Sequence, residues 1–516
     1  MVFDYDVVIM GGAFSGAATA LMLKRKRPDT RVLIIEKTTA FDRKVGESTT
    51  EISSCYMTRI LGLSNYLAHQ HLQKQGLRLW FSNTTNQRFD DCVEIGTRYQ
   101  SRLQTFQVDR STLDSHLLES AVKAGSELWR PAKVTKCELD GPNGQIVNAI
   151  VDGEERSIRA RWVVDATGRA TMLARKLGHF RQNAEHPINS VWARFTGVKD
   201  WDSYDWRERF PGYANACRAP RSGSTNHLMG RGWWVWIIPL RGGDVSAGIV
   251  YDDRIFKLPE GRSLGERLHA HILSNPIGRE IFGVARIIEG DVHAYSGLPY
   301  YSEKVCDDGW AIVGDAAGFM DPLYSSGLDL CSYTSYFVAD FLAQSLDGKD
   351  ATAQLRYYNE RYPLMYRYWF ESLYKDKYYY MGDAELMSAA LLLDVGLYYL
   401  GLVIPAYKNP EGAFLELPFQ GPIGRLVAAT VTFYNRRLAA LGKRRWHTGY
   451  YGKHNSGWRE LYDGFAPDSR VRKLMQKGVF RWWRAELTNL RLILRSGARL
   501  PEGDASPATS AEACKI

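Results

Sequence analysis

The stretch that decides the fold is Tyr5-Asp6-Val7-Val8-Ile9-Met10-Gly11-Gly12-Ala13-Phe14-Ser15-Gly16. Its apolar first half reads as a short buried strand, and the small residues from Gly16 to about Lys24 read as a helix. Arg31-Val32-Leu33-Ile34-Ile35 is a second strand that ends in Glu36, so the chain opens a parallel α/β sheet. Gly11 to Gly16 comes close to the G-x-G-x-x-G fingerprint, whose tight turn lets backbone N–H groups and a helix N-terminus approach a pyrophosphate. Glu36 stands 20 residues beyond Gly16, where an acid bonds a ribose 2′-OH. Ala13 departs from the pattern, and its methyl crowds the phosphate slightly. Gly11, Ala13, Phe14, Ser15, Gly16 and Glu36 are the candidate dinucleotide contacts.

FAD and NAD both use this motif, and elements further along decide between them. Trp162-Val163-Val164-Asp165-Ala166-Thr167-Gly168 is a strand ending in a tight turn. Ala311-Ile312-Val313-Gly314-Asp315-Ala316-Ala317-Gly318 is another, running through a Gly-Asp turn into a helix. Asp315 can hydrogen-bond ribityl hydroxyls while the helix N-terminus faces pyrophosphate or flavin. Thr105-Phe106-Gln107-Val108-Asp109-Arg110 precedes a helix, as in flavoproteins whose Arg contacts the dinucleotide. Together with the fingerprint these elements select FAD.

The rest of the 516 residues is read outward from that core. With 45% hydrophobic and 24% charged residues the chain is globular, which excludes a disordered, collagenous or membrane-bundle protein. Short β-branched and aromatic runs between about 70 and 300 read as antiparallel strands, and from Leu328 onward the pattern turns helical. The expected architecture is an FAD-binding domain over 1–335, with an antiparallel substrate sheet interleaved at roughly 70–105 and 185–300. A helical region over 336–500 covers the substrate mouth, and 501–516 is a disordered tail. Leu386–Tyr407 is apolar and about long enough to span a bilayer, but Asp394, Gly396, Gly401 and Pro405 break it. It reads as a buried, pocket-lining helix, with a peripheral membrane contact as the alternative.

Seven scattered cysteines without a CxxC spacing give no disulfide framework and no metal site, and fit a reducing cytosol. The N-terminus carries no basic-then-apolar signal, and Cys514 is no prenylation box. The cytoplasm is therefore the expected location. The net charge of +9 is uneven: residues 431–500 hold sixteen Lys/Arg and only Glu460, Asp463, Asp468 and Glu486 as acids. That window suits an acidic partner or a solvated basic helix. No aromatic-basic module for nucleic acid accompanies it; the window holds a Trp/Leu-rich amphipathic run instead.

Three further segments carry a resemblance: Val45-Gly46-Glu47-Ser48-Thr49, Trp234-Val235-Trp236-Ile237-Ile238-Pro239 and Asp321-Pro322-Leu323-Tyr324-Ser325-Ser326-Gly327. With the FAD elements they make residues 2 to about 335 resemble the flavin-dependent halogenases, relatives of the aromatic-ring flavin monooxygenases. The resemblance implies an α/β fold with a Rossmann-like FAD domain and an antiparallel substrate sheet. It places Ser48, Arg110 and Val134 with Asp315 against the flavin dinucleotide. Chloride or bromide sits near Ser326 and Gly327, where consecutive N–H groups make an anion nest.

The implied reaction uses reduced FAD, oxygen and halide to make hypohalous acid, which passes along a tunnel to a lysine and on to an electron-rich ring. Trp234 and Trp236 line that passage. Lys74, in Lys74-Gln75-Gly76, matches the lysine; a four-residue shift of register would put Arg78 there instead. Arginine can hold the oxidant by hydrogen bonds but stays protonated, with a pKa above about 12. Members that act on free tryptophan usually carry Glu before the Ser-Thr-Gly, whereas this chain has Tyr324. That leans the substrate towards a phenol, a resorcinol-like ring or a pyrrole, free or tethered to an acyl or peptidyl carrier protein. A single dinucleotide fingerprint implies reduced FAD from a separate flavin reductase. The competing readings are an aromatic flavin monooxygenase, a geranylgeranyl-reductase-like enzyme holding a lipid tail along Leu386–Tyr407, and a non-enzymatic flavin-bound module.

Overall fold

The first apolar run becomes β1 (Tyr5–Met10), buried on both faces in the middle of a parallel sheet. The small residues after the glycines become α1 (Phe14–Lys26), whose Ala17, Ala18 and Ala20 are fully buried against the core. β2 (Val32–Ile35) runs parallel to β1 with Ile35 level with Met10. The chain then leaves this sheet for β3 (Leu72–Lys74), β4 (Leu77–Phe81), β5 (Val93–Thr97) and β6 (Thr105–Gln107). The helix α2 (Arg110–Lys123), capped by Asp109, leads back through β7 (Ala132–Leu139) to β8 (Glu154–Asp165), which pairs in parallel with β1. The second large sheet is built from β9 (Ile188–Thr196), β10 (Thr225–Gly230), β11 (Trp233–Pro239), β12 (Val245–Asp252) and β13 (Arg286–Tyr295), joined by β4 and β5. β14 (Trp310–Ile312) rejoins the first sheet beside β8. Beyond it lie the helices α3 (Gly327–Leu346), α4 (Ala384–Tyr398), α5 (Gly421–His447) and α6 (Arg470–Ser496), with β15 (Arg459–Tyr462) between the last two. This computed structural model describes residues 2–468 and 470–496; the 501–516 tail and Cys514 lie outside the described residues.

Pairing in register brings four strand ends to one edge of the parallel sheet. Met10 is level with both Ile35 and Asp165, and Asp165 is level with Ile312. Gly11, Glu36, the Asp165–Gly168 turn and the Gly314–Asp315 turn therefore converge from segments far apart in sequence. Open α/β sheets bind ligands at such carboxyl ends.

The second sheet runs in the order β13, β9, β12, β11, β10, β4, β5, β15. Two of its pairings, β4 with β10 and β5 with β15, are parallel, where the sequence pattern suggested antiparallel strands throughout. Each joins strands separated by a long excursion through other elements, so no hairpin fixes their direction. β15 is a short strand within the 336–500 stretch that reads as helical; four residues with Arg and Glu among them give too weak an alternation to stand out. Helix α3 runs through position 335 without interruption. The alternation of β11 splits its residues between two cores. Trp234, Trp236 and Ile238 pack with the FAD-side core, while Val235 and Ile237 pack with Trp80, Phe89 and Trp206.

Among the described residues one helical run, Ala384–Lys408, has the length and hydropathy to cross a membrane. Its first part, α4, is largely buried, and α6 packs along it.

Candidate active site

The dinucleotide cradle is set by backbone contact. Gly11 has φ +109°, and a Cβ there would stand 2.4 Å from the Ala166 carbonyl oxygen; a Cβ at Gly16 would stand 1.9 Å from the Gly11 oxygen. Ala13 has φ −73°, which any residue adopts, so its methyl does not strain the turn. Helix α1 starts without a side-chain cap and without an acid in its first turn, which leaves its N–H groups for an anion. The Glu36 carboxylate is positioned by the Gly12 amide at 2.8 Å and by the Thr38 amide and hydroxyl at 2.9 and 2.8 Å. Val134 lies on β7, whose Ala132 amide donates to the Glu36 carbonyl at 2.8 Å.

Other members of the set are partly committed to protein contacts. Arg110 forms a forked pair with Asp114 at 3.1 Å on both arms, and Lys44 reaches the same carboxylate at 2.6 Å. One Arg110 nitrogen also donates to the Val45 carbonyl at 3.3 Å, beside the Gly46 turn. Ser48 exchanges a 2.8 Å hydrogen bond with Thr225, which also receives the Gln107 amide at 2.8 Å; this stitches the 45–49 segment to β10 and β6. Asp165 spends both oxygens on its own turn, accepting from Thr167 and Leu173. Asp315 is half-buried, and burial raises its carboxyl above the ordinary range. The glycine cradle, an open helix N-terminus, the fixed Glu36 carboxylate and Asp315 at the same edge fit FAD.

Beside this edge lies a cavity with about 900 Å³ of space including its mouth, walled by Lys74, Thr50, Ser326, Trp369, Leu391 and Tyr398 among others. Lys74 ends β3, whose pairing with β6 sets it opposite Thr105. Its side chain is 4% exposed, and Nζ donates to the Thr49 carbonyl at 2.7 Å. Burial lowers the amine to about 8, against the opposing pull of Glu51 and Asp329. Arg78 is elsewhere: fully buried in β4, it pairs with Glu94, which also takes Arg221 at 2.8 Å, and it donates to the Thr97 carbonyl at 2.9 Å. The structure brings Lys74 to the cavity and commits Arg78 to the sheet interior.

Neither tryptophan of the expected passage is among the residues that line this cavity. Their rings are 6.0 Å apart; Trp234 Nε1 donates to the Tyr378 hydroxyl at 2.9 Å and Trp236 Nε1 to the Ser246 hydroxyl at 3.2 Å. His227 packs 5.3 Å from Trp234, and burial with the nearby Lys74 ammonium lowers its imidazole to about 3. The imidazole is therefore neutral beside Trp234.

The Asp321–Gly327 loop is strained and tightly held. Tyr324 and Ser325 adopt φ +69° and +62°, a left-handed pair without glycine, of the kind that persists where surroundings over-determine it. Asp321 accepts from the Leu323 amide at 2.8 Å, the Tyr378 hydroxyl at 3.0 Å and His186 at 2.7 Å. Ser326 meets the Tyr374 hydroxyl at 2.8 Å, and Gly327 begins α3.

Two carboxylates that line the cavity were not read from the sequence as site residues. Asp329, 1% exposed, accepts from the Thr50 hydroxyl and the Ser53 amide through Oδ1, while Oδ2 has no partner among the described residues. Burial raises it to about 7. Since Lys74 holds the Thr49 carbonyl and Asp329 the Thr50 hydroxyl, the two groups flank adjacent residues of one cavity wall. The available signal was its i+3 spacing from Ser326 at the start of a helix. Asp394, on α4, is bound by Lys377 at 2.5 Å, Tyr324 at 3.0 Å and Tyr434 at 2.5 Å. A lone acid inside an apolar run was its signal.

Comparison with known proteins agrees with this geometry. A family model described as tryptophan halogenase matches residues 81–374. The flavin-dependent halogenase chlA of Dictyostelium discoideum is 24% identical over 439 residues, covering 78% of this chain and 70% of its own. The 1H-pyrrole-2-carbonyl-[peptidyl-carrier protein] chlorinase of Pseudomonas fluorescens is 25% identical over 379 residues, covering 67% of this chain and 77% of its own. Among solved structures, the halogenase PltM in complex with phloroglucinol and FAD aligns at a TM-score of 0.72 and 17% identity, over 93% of this chain and 98% of its own.

Proposed function

The chain belongs to the tryptophan halogenase family and is an FAD-dependent halogenase; from that premise we propose that it halogenates a phenol-, resorcinol- or pyrrole-type ring and that Lys74 delivers the oxidant. The observation that carries the reading is a buried lysine amine lowered to about 8, in a cavity walled mainly by apolar and aromatic side chains next to an FAD-shaped cradle. The ring arrives free or on a carrier protein, as the carrier-bound substrate named for the pyrrole chlorinase suggests. Reduced FAD comes from a separate reductase, and the six cysteines among the described residues, all buried and unpaired, suit a cytosolic enzyme.

The cradle at Gly11–Gly16, with Glu36, Arg110 and Asp315, would hold the dinucleotide, and Ser326 and Gly327 the halide. When bound and reduced, the flavin supplies with oxygen the two-electron oxidation that turns halide into hypohalous acid. The protein's part is to hold that acid, exclude water and place the ring. Lys74, still largely protonated at neutral pH, donates to the hydroxyl oxygen of the hypohalous acid. As a ring carbon attacks the halogen, the C–X bond forms, the O–X bond breaks and the oxygen leaves as water with the donated proton. The open oxygen of Asp329 is placed to accept a proton from the ring or its hydroxyl, while Trp369, Leu391 and Tyr398 keep the cavity apolar.

The test is Lys74→Ala, assayed with FAD, a flavin reductase, NADH, halide and a panel of phenols and pyrroles. Halogenated product should fall by about 10²–10⁴-fold, the range for a lost proton donor, while oxygen uptake continues and an oxidant trap captures hypohalous acid. Product at the parent rate would rule Lys74 out, and loss of flavin binding would show that the side chain acts through the fold.

A further inference from the structure

The charged C-terminal window folds into two adjacent helices whose large side chains face the wrong way for a buried pair. Along α6 the small residues Gly478 and Ala485 turn inward, and a Cβ at Gly478 would meet Leu392 and Leu393 of α4 at 3.0–3.2 Å. Phe480, Trp483, Leu490 and Leu494 are exposed, with Val479 beside them; Leu494 is 86% exposed. Residues 480, 483, 487, 490 and 494 repeat at intervals of three and four, one stripe of a helix. On α5, Ile423, Leu426, Phe433 and Trp446 are exposed as well. Contact between the helices, Phe433 to Trp482 at 5.9 Å and Arg437 to Glu486 at 2.7 Å, makes the two surfaces neighbours.

Cations flank this apolar stripe. The two helices hold fourteen Lys/Arg and one acid, Glu486, which Arg437 already neutralises. Arg425, Arg436, Arg472, Lys473, Arg484 and Arg491 are exposed. Exposed Trp, Phe and Leu on a helix rimmed by Arg and Lys are the composition of a segment that lies in a membrane interface. We propose that the outward face of α5 and α6 docks on an anionic lipid surface. A second copy of this chain would set one strongly basic face against another. An acidic protein would meet the cations but would also need a groove for the row of projecting side chains on α6. Lipid meets both: acyl chains receive Phe480, Trp483 and Leu490, and anionic headgroups receive the arginines. The docked face also lies close to the active cavity, because α6 packs on α4, whose Leu391 and Val395 line it.

The experiment is vesicle flotation of the full chain with phosphatidylcholine alone, and with phosphatidylcholine plus phosphatidylglycerol. The chain should float only with the second, and should be released at 1 M salt, where the Debye length falls to about 3 Å. Arg484→Glu with Arg491→Glu should cut partition at least about 25-fold, roughly fivefold for each cation removed. Phe480→Ser with Trp483→Ser should abolish flotation even at low salt. All four side chains are solvent-facing, so unchanged melting and flavin retention confirm an intact fold. The proposal fails if the parent does not bind phosphatidylglycerol vesicles, or if both variants bind as it does. It also fails if sedimentation shows a dimer that Phe480→Ser with Trp483→Ser dissociates, or if an acidic carrier protein binds this face and vesicles do not.

Discussion

Replacing Asp329 with Asn tests the least expected feature of the cavity, a carboxyl that titrates near neutrality. Its ordinary value is near 4, and burial beside the unpartnered Oδ2 raises it to about 7. Between those values the folded chain keeps a proton that the unfolded chain has lost, so stability falls as pH rises through that window. One unit is worth about 1.4 kcal/mol, and integration gives a loss of about 3 kcal/mol between pH 5 and pH 8 from this group alone. Asparagine mimics the neutral acid, since its Oδ1 can still accept from Thr50 and the Ser53 amide, and it has no charge to bury. Asp329→Asn should therefore be more stable than the parent by about 3 kcal/mol more at pH 8 than at pH 5. Lys74 acts in the opposite sense and mainly above pH 8, because its amine is lowered and the unfolded chain holds the extra proton there. Urea unfolding of parent and variant at both pH values reads the difference. The fraction of oxidised halide that ends on the ring reads the same titration in function: in the parent it should rise through about pH 7, and in the variant that limb should vanish. Equal pH slopes in the two proteins would refute the argument, since Asp329 would then be ionised in the fold throughout.

Two further substitutions check the parts around it. Arg78→Ala leaves Glu94 buried with only Arg221, and should destabilise the chain by roughly 3–5 kcal/mol in the same unfolding assay, while the folded fraction still transfers halogen to the ring. Gly16→Ala drives a methyl to 1.9 Å from the Gly11 oxygen, so the purified protein should lose its flavin absorbance on gel filtration while its circular dichroism is kept.

What the sequence disclosed and what it hid divide along the range of the interactions. The FAD edge was legible because each part is local: a strand, a glycine turn and the residue just after it, repeated at Gly11, Asp165 and Gly314. Lys74 was legible as a candidate, but its rivalry with Arg78 was not decidable, since the partners that remove Arg78 stand 16 residues away at Glu94 and, beyond it, 127 further at Arg221. Strand β15 was missed because its buried Glu460 depends on Ser388, Lys477 and Arg481 for partners, none of them nearby in sequence. The basic window of α5 and α6 was visible as charge. Its Trp/Leu-rich amphipathic run was visible as well; that the large apolar side chains face outward was not, because which face a helix buries is set by where small residues permit close approach, here Gly478 over Leu392 and Leu393.

At Tyr324 the resemblance puts a tyrosine where tryptophan-type members carry a glutamate, which implies that this glutamate's polarisation of the oxidant is absent. Three carboxylates line the cavity, Glu51, Asp329 and Asp394, and the last two differ in duty. Asp394 stands against the Tyr324 hydroxyl at 3.0 Å, but Lys377 and Tyr434 occupy it as well, so its charge is consumed inside the wall. Asp329 keeps one oxygen open and titrates near 7. A carboxylate that polarises a lysine-held oxidant must be ionised and close to it, whereas one balanced at neutrality serves better as a proton acceptor. An acceptor is of most use to a ring that brings an acidic proton, and loss of a phenol hydroxyl proton raises the ring's own nucleophilicity. On the proposed reading, a proton acceptor at Asp329 on α3 suits phenols better than unactivated indoles, by a route independent of the loop sequence.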